Sequence, residues 1–188
     1  MPLSAVPLSL SRIRKHTRSV RFEGYARADG LWDIEAHLTD IKPIDVPLAS
    51  GVRPAGSPVH DMWIRLTIDR KMNVVASEVR TDAMPYSPHC ATVNPEYDGM
   101  LAGLNLLRGF RKAVQERFGG VRGCTHLTEL LAQFPTAAVQ SMAAEKRDDV
   151  DAGGKPFELD SCHALDTGGE AVRLYFPRWR RGEKTGTD

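Results

Sequence analysis

Asp29-Gly30 stands between two runs in which polar and apolar residues alternate, and this constrains the fold more than any other feature of the chain. An Asp-Gly pair favours the tight two-residue turn whose twist matches paired antiparallel strands. It predicts a β-hairpin joining residues 19–27 to residues 31–40. In the second strand Trp32, Ile34, Ala36 and Leu38 alternate with Asp33, Glu35, His37 and Thr39. A period of two therefore gathers two carboxylates and an imidazole on one face. That face is either the wet side of a half-solvated sheet or the lining of a pocket, where it would offer acid and base groups at steps of ~7 Å along the strand.

The same pattern recurs from His60 to Asp69, where Met62, Ile64, Leu66 and Ile68 point one way. A turn over residues 70–73 leads to a partner strand over 74–80. Two consecutive hairpins make a four-stranded antiparallel sheet the simplest assembly, because sequence neighbours tend to pair in space. Between them, residues 41–57 are rich in proline and glycine and read as a long connection able to lie over a site as a lid. Residues 81–95 read as loop, with Pro85 and Pro88 holding His89 and Cys90 extended.

Helical spacing follows. Tyr97, Leu101, Leu104, Leu107, Val114 and Phe118 form one apolar stripe, stopped by Gly119-Gly120. Leu127, Leu130, Leu131, Phe134, Ala138 and Met142 form another, in which Pro135 should kink or break the helix near Phe134. The expected fold is α+β, a mainly antiparallel sheet built from hairpins and packed on one face by two long helices over 95–118 and 125–145. The expected organisation is an irregular N-terminal arm over 1–15 and an α+β core over 16–146. A hairpin segment over 147–180, its strands at 157–165 and 170–176, packs on that core, and 181–188 form a flexible tail.

At 188 residues with 41% hydrophobic and 26% charged residues, the chain has the composition of a soluble domain with a sizeable core. No apolar run approaches a membrane span, and residues 1–10 lack the positive region of a secretory signal, so the cytoplasm is the expected location. A net charge of +1 argues against nucleic-acid or membrane binding through charge alone. Two local clusters, Arg12, Arg14, Lys15, His16, Arg18 and Arg21, and Arg178 to Arg181 around Trp179, read as solvated surface, the alternative being a phosphate grip. The expected partner is a small molecule, and a homo-oligomer stays open.

No phosphate loop, nucleotide fingerprint or Gly-x-Ser-x-Gly elbow is present. The three cysteines are too few and too scattered for a disulfide framework, yet each has a histidine within two residues: His89-Cys90, Cys124-x-His126 and Cys162-His163. Thiolate and imidazole suit zinc or iron, which makes Cys90, Cys124, His126, Cys162 and His163 candidate ligands, although none of the pairs has the spacing typical of a zinc site. Cys124 falls at a helix start, where free amides favour a thiolate. On an ideal helix it would instead share the apolar side of Leu127 and Leu131, and it converges with His126 only if it precedes the first turn.

A second constellation needs no metal. His37 and Glu35 on one strand, His60 at a strand start, and His126 with Glu129 on a helix are candidate acid and base groups. Tyr25 and Arg27 could orient a phenol or carboxylate, and Trp32, Trp63 and Tyr86 could wall an aromatic ligand. Each of these, taken alone, reads more readily as an ordinary surface or core-edge residue.

The run Gly24-Tyr25-Ala26-Arg27-Ala28-Asp29-Gly30-Leu31-Trp32-Asp33-Ile34-Glu35-Ala36-His37-Leu38-Thr39-Asp40, the segment His60-Asp61-Met62-Trp63-Ile64-Arg65-Leu66-Thr67, the stretch from Gly123 to Leu131 and Cys162-His163-Ala164-Leu165 together resemble a bacterial family labelled as a domain of unknown function. The resemblance covers most of the chain, from about His16 to Trp179. It implies a place in the catabolism of lignin-derived aromatics, as a lyase releasing formaldehyde from a hydroxymethyl side chain without a cofactor. The alternative from the cysteines and histidines is an accessory protein that handles a metal, zinc or iron, or a thiol.

Overall fold

The computed structural model describes residues 11–143, 145, 154–156 and 158–182. The chain divides into two compact units, Met1–Ser141 and Met142–Asp188.

The first unit is built on a sheet whose strands are β1 (Thr17–Ala26), β2 (Trp32–Ile41), β5 (Pro58–Ile68) and β6 (Val74–Ala83), in the order β1-β2-β5-β6. All three pairings are antiparallel, as expected from two consecutive hairpins. The β1–β2 turn closes where the Asp-Gly pair predicts it. Gly30 takes a φ of 82°, a left-handed value that favours glycine, and Asp29 Oδ1 accepts from Leu31 N at 3.2 Å.

Alternation assigns the faces. Ile34, Ala36 and Leu38 of β2 and Met62, Ile64, Leu66 and Ile68 of β5 are buried on one side. Helix α3 (Thr125–Leu131) lies against β5, and α4 (Phe134–Ser141) lies against β1 and β2. Leu127, Leu130, Leu131, Phe134 and Ala138 close the core. Each large side chain buried here contributes about 1.5–3 kcal/mol. Phe22 of β1 meets Phe134 edge-on, with ring centroids 5.2 Å apart. The chain breaks between α3 and α4 next to Pro135, as its missing N–H requires.

Three expectations need correction. The helix over 95–118 is two helices, α1 (Asn94–Tyr97) and α2 (Phe110–Phe118). The segment between them turns through Gly99, Gly103 and Gly109, at φ of 74°, 82° and 67°. It exchanges backbone hydrogen bonds with the start of β6, Gly103 N to Val74 O at 2.8 Å and Val74 N to Leu104 O at 2.8 Å. Leu101 and Leu106 are buried there, so their spacing reflects a cover over a strand edge rather than a helix face. The connection over 41–57 carries its own two-stranded hairpin, β3 (Val46–Leu48) with β4 (Gly51–Arg53). Arg53 ties it to the loop after β6 through Met84 O at 3.0 Å.

The third correction concerns the second unit. In place of a hairpin it has 3₁₀ turns at His163–Leu165 and Pro177–Trp179 and a helix, α5 (Glu170–Tyr175). Asp160 Oδ1 accepts from both the backbone N and Oγ1 of Thr167 at 2.9 Å, and Asp166 Oδ1 accepts from Gly168 N at 2.8 Å. These bonds fold the Asp-Thr-Gly-Gly run into a lead for α5, so it cannot serve as a strand-to-strand turn. Phe157, residues 147–153 and the tail from 183 lie outside the described residues. Among the described residues no helix is long and apolar enough to cross a membrane.

Candidate functional site

The buried stripe of β2 continues one step past Leu38, to Asp40, which is only 4% exposed. The strand register sets Arg18 of β1 and His60 of β5 directly beside it. All three project to the helix-covered face, at the end of the sheet. His16 lies two residues before Arg18, and α3 brings His126 and Glu129 in from above.

Asp40 holds this cluster together. Arg18 grips it bidentately, Nε to Oδ1 at 2.8 Å and Nη2 to Oδ2 at 2.9 Å. His16 Nε2 is 2.7 Å from Oδ1, His60 Nδ1 is 3.0 Å from Oδ2, and His126 Nε2 is 3.6 Å from Oδ2. The rings of His60 and His126 lie 3.9 Å apart, tilted by 35°. Glu129 joins at the margin, 3.6 Å from Arg18 Nη1.

The electrostatics follow from these contacts. Burial opposes ionisation of Asp40, but the hydrogen bonds from Arg18 and His16 and the surrounding positive charge outweigh it, so the carboxyl is held well below the usual range. Burial lowers the pKa of His60, His126 beside it lowers it further, and Asp40 only partly compensates. Burial and then Arg18 lower the pKa of His126 against the pull of Asp40 and Glu129. Both imidazoles are therefore biased toward their neutral form. With Nδ1–H of His60 donating to Asp40, its Nε2 carries the lone pair of a base.

Cys124 precedes the first turn of α3, with φ −92° and ψ 126°, and this is the condition under which it meets His126. Its Sγ lies 3.9 Å from His126 Nδ1. Tyr97 fixes that corner. Its hydroxyl accepts from Cys124 N at 2.9 Å and lies 3.2 Å from Thr128 Oγ1.

His60, His126 and Glu129 thus come together, while His37 and Glu35 do not join them. They lie on the opposite face of the sheet, where His37 Nε2 is 2.7 Å from Asp61 and its ring stacks on Trp63 at 3.7 Å. Glu35 accepts from Arg65 at 2.7 Å. A shallow cavity on that face is lined by Glu35, Trp63, Ile64, Arg65, Glu78 and Arg80. Arg27 is engaged by Asp29 at 2.7 Å and Asp33 at 3.3 Å, Tyr25 and Tyr86 are exposed, and Trp32 is a core residue.

The cysteine-based ligand candidates fall on separate elements. Cys90 sits in the 3₁₀ turn His89–Val93, and exposed Cys162 and His163 belong to the second unit. Among the described residues the group of three able to hold a metal is Asp40, His60 and His126, whose ligand atoms all lie within 4.8 Å of one another.

Sequence reasoning missed His16, Arg18 and Asp40. The signal was parity. Even positions of β2 face the core from Trp32 onward, so an aspartate at position 40 is an inward carboxylate that must be paired. The cluster read as solvated basic surface is that pairing in part, through His16 and Arg18.

No curated protein and no solved structure matches the chain. A family model described as a protein of unknown function, DUF2889, matches residues 16–140, a span that contains every residue of the Asp40 cluster. The chain belongs to the DUF2889 family.

Proposed function

We propose that the chain is a small-molecule enzyme whose acid–base chemistry is run by His60 and His126 over Asp40. The observation that carries this is two half-buried imidazoles in ring contact on one locked carboxylate. Such a pair can take a proton and return it with little reorganisation, and its side chains remain 15% and 24% exposed, within reach of a ligand.

The reaction proposed is release of formaldehyde from a hydroxymethyl side chain of an aromatic substrate. One imidazole takes the hydroxyl proton and the carbon–carbon bond to the hydroxymethyl carbon breaks. Beforehand the phenol loses its proton and expels an oxygen leaving group from its benzylic carbon, giving a quinone methide; the electron pair of the broken bond then forms the alkene to that benzylic carbon and returns the ring to a phenolate as formaldehyde leaves. The substrate is its own electron sink, so the step needs no organic cofactor. Support for this substrate class comes from the family resemblance, and support for the proton transfer comes from the cluster.

The test is direct. Purified protein incubated with hydroxymethyl-bearing phenolic dimers should release formaldehyde in step with a new conjugated product. A set of such dimers left unchanged at high enzyme concentration would reject the substrate class.

A further inference from the structure

We propose that Asp40 Oδ2, His60 Nδ1 and His126 Nε2 form a binding site for one divalent first-row transition metal ion, with zinc as the occupant. The inference does not rest on the lyase reading, because it is read by metal uptake alone.

The distances carry it. Ligand atoms ~2.0–2.1 Å from a zinc ion stand about 3.3 Å apart in a tetrahedron and about 2.9 Å apart in an octahedron. From Asp40 Oδ2 the two imidazole nitrogens lie at 3.0 Å and 3.6 Å, which brackets the tetrahedral spacing. One nitrogen of each ring and a carboxylate oxygen all lie within 4.8 Å of one another, so an inward movement of the His126 ring would close the triangle on one cation.

The donors suit such an ion. Two imidazoles and a carboxylate match the borderline preferences of zinc and its neighbours, and three protein ligands leave a position open for water or a hydroxyl. The surroundings resemble the outer contacts that ligands of bound metals need. Asp40 Oδ1 is held by His16 at 2.7 Å and by Arg18 Nε at 2.8 Å, and Arg18 Nη2 donates to Oδ2 at 2.9 Å, so the fork fixes the carboxylate plane and the ion would share Oδ2 with the guanidinium. His126 uses Nε2 toward Asp40 and has Cys124 Sγ 3.9 Å from Nδ1, a partner able to fix its tautomer. His60 would bind in the tautomer that carries its proton on Nε2.

Placement on rigid elements adds to this. Asp40 and His60 are register partners on adjacent strands, and His126 sits in the first turn of α3, whose Leu127, Leu130 and Leu131 are anchored in the core. With the ion bound the imidazole lone pairs are taken, so activation of a coordinated hydroxyl by the cation would replace base catalysis by His60 and His126.

The experiment uses the full chain, treated with a chelator, desalted and titrated with Co2+ while the visible d–d absorption is followed, then challenged with Zn2+. The expected result is saturation at one equivalent, with the band bleached by zinc. His60→Ala and His126→Gln, shown to be folded by circular dichroism, should each weaken Co2+ binding by at least about tenfold, as loss of a ligand does. His89→Ala, outside the cluster, should bind as the parent does. Uptake below about a tenth of an equivalent of either ion would overturn the proposal, since metal sites of this kind hold their ion tightly. So would unchanged binding in both cluster variants, which would put the ion elsewhere. Saturable binding in a protein that releases no formaldehyde would leave the metal site standing and remove the lyase reading.

Discussion

Arg18 and Asp40 face each other across β1 and β2 with two parallel hydrogen bonds of 2.8 and 2.9 Å, and the carboxylate so held is the one on which His60 and His126 converge. The guanidinium fork both neutralises Asp40 and fixes its plane. Arg18→Ala should destabilise the protein by about 2–3 kcal/mol. That is less than the loss expected for breaking a fully buried pair, because the Arg18 side chain is 36% exposed. Arg18→Lys keeps the charge but loses the fork, and it should fall between parent and alanine variant in urea unfolding. An alanine variant as stable as the parent would show that Asp40 needs no partner there.

Gly24 lets α4 approach β1. A Cβ added at this position would stand 2.1 Å from Ser141 Oγ and 2.4 Å from Ser141 Cβ. Gly24→Ala should therefore lower stability by about 2 kcal/mol or more, the scale of overpacking in a filled core. Adding Ser141→Gly should recover part of that loss in thermal melts. If the double variant is no better than the single, the strain lies elsewhere.

Asp69 organises the turn between β5 and β6, accepting from Lys71 N, Asn73 N and Asn73 Nδ2, each at 2.8 Å. Burial pushes its carboxyl up, but these bonds win, so the folded-state pKa lies below the ordinary value of 3.8. A lowered pKa means the contribution is complete above that value and is lost as the pH falls through the folded-state pKa. Asp69→Asn should be less stable than the parent at pH 7, with the gap closing as the pH drops below about 3.8. Stability measured by denaturant titration across that range checks it, and a gap independent of pH would contradict it.

Burial ranks the thiols. Cys162 is exposed, whereas Cys90 and Cys124 are half-buried, with Cys124 set at the start of α3 against Tyr97 and His126. Iodoacetamide should label Cys162 first in the native protein, and mass spectrometry of digested samples reads the order. Labelling of Cys124 ahead of Cys162 would show a thiol activated beyond what its setting explains.

The hairpins were legible because alternation and an Asp-Gly turn act locally. The same rule, followed two residues further, would have disclosed Asp40 as an inward carboxylate. An aspartate beside a proline-rich stretch also reads as the end of a strand. His16 and Arg18 were hidden for a different reason. A run of cations is usually solvated, and only the β1–β2 register shows which of them meet a buried anion. Residues 98–109 carry leucines at helical spacing, but the cover over the strand edge buries Leu101 and Leu106 and leaves Leu107 48% exposed. The Asp-Thr-Gly-Gly run looks like a hairpin turn until Asp160 and Asp166 claim its amides. His37 and Glu35 stood out in the sequence, and the pleat sends them to the far face of the sheet.

The proposed chemistry belongs to the Asp40 cluster, and His126 is the residue whose loss separates that cluster from the rest of the fold. It belongs to the cluster through a single exposed-to-buried side chain on a helix whose core anchors are Leu127, Leu130 and Leu131. The measurement is formaldehyde release from a hydroxymethyl-bearing phenolic dimer by parent, His126→Ala and His37→Ala proteins of equal thermal stability. Loss of a positioned acid–base group lowers turnover by about 10²–10⁴-fold. The account predicts a fall of that size for His126→Ala and no more than about a twofold change for His37→Ala, whose ring lies against Trp63 on the other face. A folded His126→Ala protein with full turnover, or a His37→Ala protein that has lost it, would contradict the account.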